Sequence, residues 1–351
     1  MNTKEKYHYI DTLRFVAICY IVFTHFDHEC FQYFMGSTVT QFFFSKDCAT
    51  GWLLYGLTGK YALALLCVIS GFLCAHKCSK KGADVAEIVI TRYLRLMLPV
   101  AGANLLFGIW VSATGEQIDV PVYLKSSLIP GMTGANRNLW CIGSFLVGSI
   151  LIAVLYYVKS RNSKGFLLAV PILVAAVIME NPWLFAVMVG GLSYEAADWL
   201  RRKQVFRYWW LVVILPILWW LPRAEESTLT HYRQIAACVV IMITLYCLPG
   251  LQKILAWKKL DCLKKYSYSL FVVHGMTLFL LGPSWEIVQK LGVQGFYATF
   301  AVLFLLTLAV DVAAAIVIYY LFEKTIYRLL FGWILPRSVQ ADNAEEQKLV
   351  A

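Results

Sequence analysis

The first hydrophobic stretch of the chain reads Tyr9-Ile-Asp-Thr-Leu-Arg-Phe-Val-Ala-Ile-Cys-Tyr-Ile-Val-Phe-Thr-His25. It is long enough to cross a bilayer as a helix, yet it contains Asp11, Arg14 and His25. At about 100° per residue, Arg14 and His25 are separated by three turns plus roughly 20°, so both lie on one helix face, ~16 Å apart along the axis. Asp11 lies near the same stripe. Polar groups in a membrane helix are costly and mark ion, proton or substrate paths, which favours a functional face over a pair that is merely satisfied by neighbouring helices.

Composition places the rest of the chain in a membrane as well. Hydrophobic residues make up 60% of the 351 residues and charged residues 15%, whereas soluble domains are nearer half apolar and a quarter charged. No short apolar segment with a small-residue cleavage site opens the chain, so we expect the first hydrophobic helix to be retained. The hydropathy pattern predicts an all-α polytopic membrane protein with about ten transmembrane helices. The predicted spans are 9–28, 52–76, 93–113, 139–158, 166–180, 183–200, 208–222, 233–251, 267–282 and 295–322.

The distribution of basic residues predicts the orientation of these spans. If the N-terminus is cytoplasmic, 24 of the 31 Lys and Arg residues lie in or next to cytoplasmic segments. The outer loops keep Lys46, Lys60, Lys125, Arg137, Arg223, Arg233 and Lys290. This asymmetry follows the positive-inside rule and predicts that both termini are cytoplasmic. The formal net charge of +10 therefore reports topology, and we expect no nucleic-acid partner.

We expect a single transmembrane domain over residues 1–335 and a disordered cytoplasmic tail over 336–351, which is short and polar. Most of the ten cysteines fall within predicted spans, where they act as small apolar residues. Cys30 and Cys48 share the first outer loop, and whether they form a disulfide stays open. No phosphate-binding glycine loop occurs, so nothing in the sequence points to ATP.

Several segments carry motifs that are weak one by one but occur together in a fixed order. They are Arg14 with His25, Val68-Ile-Ser-Gly-Phe-Leu73, Arg92-Tyr-Leu-Arg95 followed by Pro99, Leu139-Trp140, Tyr266-Ser-Tyr-Ser-Leu-Phe-Val-Val-His274, and Tyr319-Tyr-Leu-Phe-Glu-Lys-Thr325. From about residue 7 to 330, this series resembles the membrane acyltransferase family 3, the O-acyltransferases that modify bacterial surface sugars. Thr325 stands where the family usually has a proline.

The resemblance implies transfer of an acyl group from cytoplasmic acyl-coenzyme A to a hydroxyl, usually on a lipid-linked or surface glycan, in a bacterial inner membrane. Acetyl-coenzyme A is the expected donor, and succinyl transfer stays open.

The residue types fit this chemistry. A sugar hydroxyl is a poor nucleophile at neutral pH, and His25 could act as its general base or carry the acyl group transiently. Asp27 and His28 lie next to His25 in the sequence, but they lack a fourth ligand, and we expect no metal.

Arginine binds phosphate with two-point geometry, so we expect Arg92 and Arg95 to hold the nucleotide phosphates of coenzyme A. Arg14 would lie nearer the pantetheine arm. The simpler alternatives are membrane anchoring for Arg92 and Arg95, and pairing of Arg14 with Asp11 or Glu323.

Five further residues carry secondary predictions. Trp140, with Asn138 beside it, is predicted to stack on a sugar ring, or else to belong to the aromatic belt of the membrane interface. Ser70 is predicted to serve helix packing rather than nucleophilic catalysis. His274 and Asp311 are predicted to be buried polar residues that could hydrogen-bond to each other, which favours a structural brace over a direct role in catalysis.

Two other classes of function compete with an enzyme. A transporter or flippase for a glycolipid or small anion would also need many spans with buried charges, but the sequence shows no convincing pair of broken helices. A polytopic partner of the glycan-synthesis machinery without its own activity is the third class, and the intact Arg14 and His25 pair argues against it. Membrane lipids are expected neighbours, and a homo-oligomer stays open.

Overall fold

The computed structural model describes residues 8–36, 59–80, 83–115, 117–132, 136, 139–203 and 228–334, and these contain helices and no β-strand. The principal helices are α1 (His8–His25), α2 (Gly59–Cys78), α3 (Val85–Ala113), α4 (Val120–Leu128), α5 (Ile142–Arg161), α6 (Ser163–Glu180), α7 (Pro182–Arg202), α8 (Thr228–Cys247), α9 (Pro249–Leu255), α10 (Ser267–Val273), α11 (Thr277–Lys290) and α12 (Phe296–Ile318). Shorter turns lie at Lys258–Leu260, Asp261–Lys264 and His274–Met276.

Two of these helices continue beyond their α-helical part through a π-helical stretch. Helix α1 runs on through Phe26–Phe31 and then Gln32–Met35, and α12 runs on through Tyr319–Ile326 into Tyr327–Ile334. At the position where the family usually has proline, the Thr325 hydroxyl donates to the Tyr320 carbonyl at 2.8 Å. The chain therefore continues as a helix through this position.

Five helices of the described part are long and apolar enough to cross a membrane, and a sixth is reached if α8 and α9, bent by 102°, form one span. This confirms an all-α membrane protein. Among the other predicted spans, 208–222 lies outside the described residues. Three further predicted spans are not among these six: 267–282 is interrupted at His274, α7 over 183–200 contains Glu195 and Asp198, and α6 over 166–180 has only a shorter apolar part, Ser163–Ala175. The predicted tail 336–351 also lies outside the described residues.

Several helix starts follow from single side chains. The Asn162 carboxamide accepts from the backbone N–H groups of Lys164 and Gly165 at the start of α6. Asn181 caps α7 in the same way, with Pro182 at the first helical position. Asn and Pro are favoured at these positions because they satisfy or lack the unpaired N–H groups of the first turn. The tight turns from α5 to α6 and from α6 to α7 are therefore determined by local sequence.

Helix α2 lies at the centre, against α1, α5, α7 and α8. Its contact with α7 is very close: a Cβ on Gly71 would lie 1.8 Å from the Val187 carbonyl oxygen, and one on Gly190 would lie 2.3 Å from the Val68 carbonyl oxygen. Only glycine permits this reciprocal approach of two backbones. The Ser-Gly-Phe motif thus fixes the main helix pair of the fold.

The buried side chains form two separate clusters. The larger draws mainly on α1, α2, α3, α5, α7, α8 and α10, with Val177 of α6 and with Ala315 and Ile318 of α12. The smaller joins the extension of α1 to α11 and α12 around Phe26, Phe31, Val288 and Leu303. Along α1, Val22 belongs to the first cluster and Phe26 to the second. His25 therefore lies at the junction of the two clusters.

Candidate active site

Arg14 and His25 lie on one uninterrupted α-helix, as their spacing predicts. Arg14 Nη1 lies 3.7 Å from the Asp11 carboxylate, and both side chains are partly exposed. The pairing of Arg14 with Asp11, one of the predicted alternatives, is therefore present in the structure. This pair occupies the first turns of α1 and His25 its last turn.

Arg92 is held between two hydroxyl groups from different helices. Its Nε donates to Ser149 Oγ at 3.2 Å and its Nη2 donates to Ser70 Oγ. Ser70 is predicted to serve helix packing. In the structure the adjacent Gly71 makes the close helix contact, and Ser70 makes a polar contact with Arg92. Ser149, on α5, has no motif around it, and no sequence pattern indicates its role.

Arg95 turns toward a different partner. Its Nε donates to the Tyr327 hydroxyl at 3.2 Å, and its guanidinium lies 5.5 Å from the centre of that ring. Arg95 and Arg14 nevertheless both act electrostatically on Arg92. The fold thus gathers three predicted arginines into one cationic cluster.

Glu323 provides the negative charge of this cluster. It accepts a hydrogen bond from Ser269 Oγ, and the charges of Arg14 and Arg95 both act on it. Next to Ser269, the Tyr268 hydroxyl donates to the Leu96 carbonyl at 2.8 Å, which fastens α10 to α3. The Tyr-Ser-Tyr-Ser-Leu and Tyr-Tyr-Leu-Phe-Glu motifs therefore meet in space at the arginine cluster.

At the other end of the site, the rings of His25 and His274 are in contact, with centroids 5.1 Å apart. His274 is buried, and its Nδ1 lies 2.5 Å from the Phe271 carbonyl oxygen. Because a carbonyl can only accept, Nδ1 carries the proton, which leaves Nε2 of a neutral imidazole as an acceptor. His274 is thus locked in one orientation beside His25.

Comparison with protein families identifies the chain. A profile of the family described as “Acyltransferase domain”, Acyl_transf_3, matches residues 7–320. This chain belongs to that family. It is an acyltransferase in a membrane, which agrees with the resemblance seen in the motifs and disfavours both the transporter and the inactive partner. No match was found among curated proteins or solved structures.

Asn136 of the acyltransferase lies close to Trp140 in the sequence, but no sequence pattern indicated its partner in the fold. It is buried, and its Nδ2 donates to the Val272 carbonyl at 2.8 Å, next to His274. A Cβ on Gly275 would lie 2.3 Å from Asn136 Oδ1. Asn136 therefore packs directly on the backbone that carries His274, and a glycine is needed there for this contact.

Trp140 of the acyltransferase lies at the start of α5 and belongs to a row of aromatic rings. Its ring centre is 5.9 Å from that of Trp183, which is 5.3 Å from that of His231. Trp140 is 40% exposed whereas Trp183 is 7% exposed, so one face of the row is open. The predicted neighbour Asn138 lies outside the described residues, as does Cys48 of the Cys30 and Cys48 pair.

Asp311 is buried on α12, the helix that packs against α10 and therefore against the segment carrying His274. This matches the predicted burial of both residues. Their hydrogen bond stays a prediction.

Both π-helical stretches adjoin the site. One begins at Phe26, directly after His25, and the other contains Glu323. Such wide turns are rare and occur at functional sites, because they re-aim side chains within a helix.

Proposed function

We propose that this acyltransferase moves an acyl group, acetyl by default and succinyl as the alternative, from cytoplasmic acyl-coenzyme A to a hydroxyl of a cell-surface or lipid-linked glycan. The proposal rests on the separation of two groups of residues along α1. Arg14, Arg92, Arg95 and Glu323 gather at one end of α1, and His25 with His274 lies at the other. The finer topology belongs to the same proposal: ten spans, both termini in the cytoplasm and a bacterial inner membrane.

The reaction needs one proton removed and one returned. His25 takes the proton of the acceptor hydroxyl while the hydroxyl oxygen bonds to the acyl carbon. The carbon–sulfur bond then breaks, and the proton passes from His25 to the coenzyme A thiolate. If His25 instead carries the acyl group, its unprotonated ring nitrogen bonds to the acyl carbon as the carbon–sulfur bond breaks and the coenzyme A thiolate leaves. In the second step the acceptor oxygen bonds to the acyl carbon as the carbon–nitrogen bond breaks, and the hydroxyl proton passes by way of the freed imidazole to the thiolate.

Two features support the roles of the other residues. The arginine cluster supplies fixed cations for the phosphates of coenzyme A, since Arg92 is oriented by Ser70 and Ser149. His274 orients His25 because its own ring is fixed by the Phe271 carbonyl. His274 is therefore a positioning residue in this mechanism.

The acceptor would be held at the start of α5, the end that is predicted to face the outside. The open face of Trp140, backed by Trp183, offers a flat apolar surface for a sugar ring. Asn138 would donate to its hydroxyls. A homo-oligomer or an association with glycan-synthesis machinery is compatible with this arrangement.

The test is transfer of labelled acetyl from acetyl-coenzyme A into the lipid-linked and polymeric glycans of membranes that contain the protein. We expect incorporation by the wild type and by His28→Ala, a control three residues away, and none by His25→Ala inserted at the same level. Equal labelling by His25→Ala would remove His25 from the chemistry. A wild-type protein that neither transfers acetyl nor binds coenzyme A would overturn the proposed donor.

A further inference from the structure

A cavity of about 590 Å³ opens between the ends of four helices. Its walls come from the end of α2, the start of α3 and the ends of α5 and α7. Positive-inside charge places these ends on the cytoplasmic side. The volume lies within the range of small-molecule sites, about 300–1,000 Å³.

The lining combines aromatic rings with charge. Tyr156, Tyr157 and Tyr194 line the cavity, and so do Lys80, Lys159 and Arg202 against only two carboxylates, Glu195 and Asp198. Two of these cations are paired with the carboxylates: Lys159 Nζ lies 2.6 Å from Glu195, which also accepts from the Tyr156 hydroxyl at 2.5 Å, and Arg202 lies 2.5 Å from Asp198. The lining therefore carries one more cation than carboxylates. Tyr157 is half-exposed and offers a ring face. An anionic ligand with a flat aromatic ring fits this set of groups.

The cavity lies in register beneath the Arg92 cluster. On α5, Tyr156 follows Ser149 by seven residues, nearly two full turns, which puts both on one face about 10 Å apart. On α3, Ile88 of the cavity wall precedes Arg92 by one turn. The same faces of two helices therefore line both the cavity and the arginine site.

Helix α2 contributes small side chains along the same path between the cavity and Arg92. Ser70, Cys74 and Cys78 follow one another at four-residue intervals, so they share a face. Cys74 Sγ lies 3.5 Å from the Ser149 carbonyl oxygen, and Cys78 lines the cavity. One face of α2 thus runs from Ser70, which contacts Arg92, through Cys74 to Cys78 in the cavity wall.

We propose that this cavity binds the adenosine 3′-phosphate end of the acyl-coenzyme A donor, with the pyrophosphate directed toward Arg92. The inference rests on the proposed function and deepens it, because it assigns the nucleotide to a cavity that contains neither His25 nor the arginine cluster.

The probe for this site is adenosine 3′,5′-bisphosphate, the nucleotide end without the pantetheine arm, used with the full-length protein in detergent. We expect it to compete with acyl-coenzyme A. In Lys80→Gln/Arg202→Gln, the KM for acyl-coenzyme A and the inhibition constant of the probe should both rise roughly ten-fold, with kcat unchanged. Lys253→Gln, which removes an exposed cation near the end of α9, is the matched control and should change neither.

A second variant tests the cavity by volume rather than charge. Ala83→Trp places an indole in the cavity wall and should weaken the probe without altering any ion pair. If both variants keep wild-type constants while acyl transfer proceeds, the cavity is not the nucleotide site and the proposed function stands. Competition by anionic lipid vesicles but not by the probe would assign the cavity to a lipid headgroup and overturn the proposal. A wild-type protein that does not bind coenzyme A at all would overturn both.

Discussion

At the scale of single residues, the site depends on polar groups that come from distant parts of the chain. Arg92 is fixed by one hydroxyl from α2 and one from α5, and Glu323 by a hydroxyl from α10. His25 is held against His274. Each charged or titratable group thus has a partner that limits its rotamers, which is what a preorganised acyl-transfer site requires.

Arg92→Lys tests the two hydrogen bonds that the Arg92 guanidinium donates to Ser70 and Ser149. Lysine keeps the charge but cannot reach Ser70 and Ser149 together in a fixed plane, so we expect a higher KM for acyl-coenzyme A, by roughly 10-fold or more. Ser70→Ala combined with Arg92→Lys should cost less than the sum of the two single changes, because both remove the same hydrogen bond. Steady-state kinetics of the four proteins give the result, and full additivity would show that the contact is not used.

His274→Phe tests orientation of the catalytic base. Phenylalanine keeps the buried ring but removes the nitrogen that is fixed to Phe271, so His25 loses a defined neighbour. We expect kcat to fall by up to roughly 10²-fold while the KM for acyl-coenzyme A stays near the wild-type value. A purely structural brace would instead lower the thermal stability and the amount of inserted protein with little change in kcat, so both are measured.

At the scale of secondary-structure elements, α2 and α7 are held by backbone contact rather than by large side chains. Gly71→Ala would put a methyl group into the Val187 carbonyl, and we expect a loss of stability of at least ~1–3 kcal/mol. Gly250→Ala on α9 is the control, since nothing lies within 4 Å of its Cβ position. The melting temperatures in detergent should differ clearly between the two variants, and equal values would contradict the close packing.

The start of α1 is tied to the turn before α10. Asp261 accepts from Lys264 at 2.8 Å and lies 3.4 Å from His8. Burial works against the ionised form, but the hydrogen bond from Lys264 and the charge of His8 hold the pKa of Asp261 below its usual value. The stability gained from this carboxylate is therefore present above about pH 4 and is lost as pH falls through the lowered pKa.

Asp261→Asn should lower stability near neutral pH, by less than about 1 kcal/mol because solvent screens this partly exposed group. The difference from the wild type should shrink as pH falls below about 4 and through the lowered pKa of Asp261, because the wild-type carboxylate then becomes protonated too. Thermal melts at pH 7 and pH 3 measure it. Glu286→Gln, which breaks the exposed pair with Lys290, is the control and should change little, whereas an Asp261→Asn effect that grows in acid would refute the pairing.

At the scale of the whole molecule, the charge asymmetry predicts the topology, and two hydrophobic clusters meet at His25. The exposed Cys262 lies in the turn before α10, which the charge pattern predicts to be cytoplasmic. A membrane-impermeant maleimide should label Cys262 only after the inner face is made accessible, with Cys262→Ser as the blank. In a Cys262→Ser background, Lys290→Cys should be labelled from outside, and the reverse pattern would invert the proposed topology.

The sequence alone determined the all-α membrane fold, because continuous apolar stretches of about 20 residues satisfy their backbone groups in lipid as helices, whereas the strands of a membrane barrel are shorter and alternate polar with apolar residues. It also determined the helix-face relation of Arg14 and His25, since both lie in one stretch of fixed pitch, and the family, since the motifs are local strings. It could not indicate Ser149 or Asn136, whose partners lie 57 and 136 residues away. It also could not foresee that Glu323 meets Ser269, or that His274 meets His25. Only the tertiary structure decided those contacts, because they depend on which helix faces pack together, and in lipid that choice is made by close backbone approaches such as Gly71 on Val187 rather than by hydrophobic patterning.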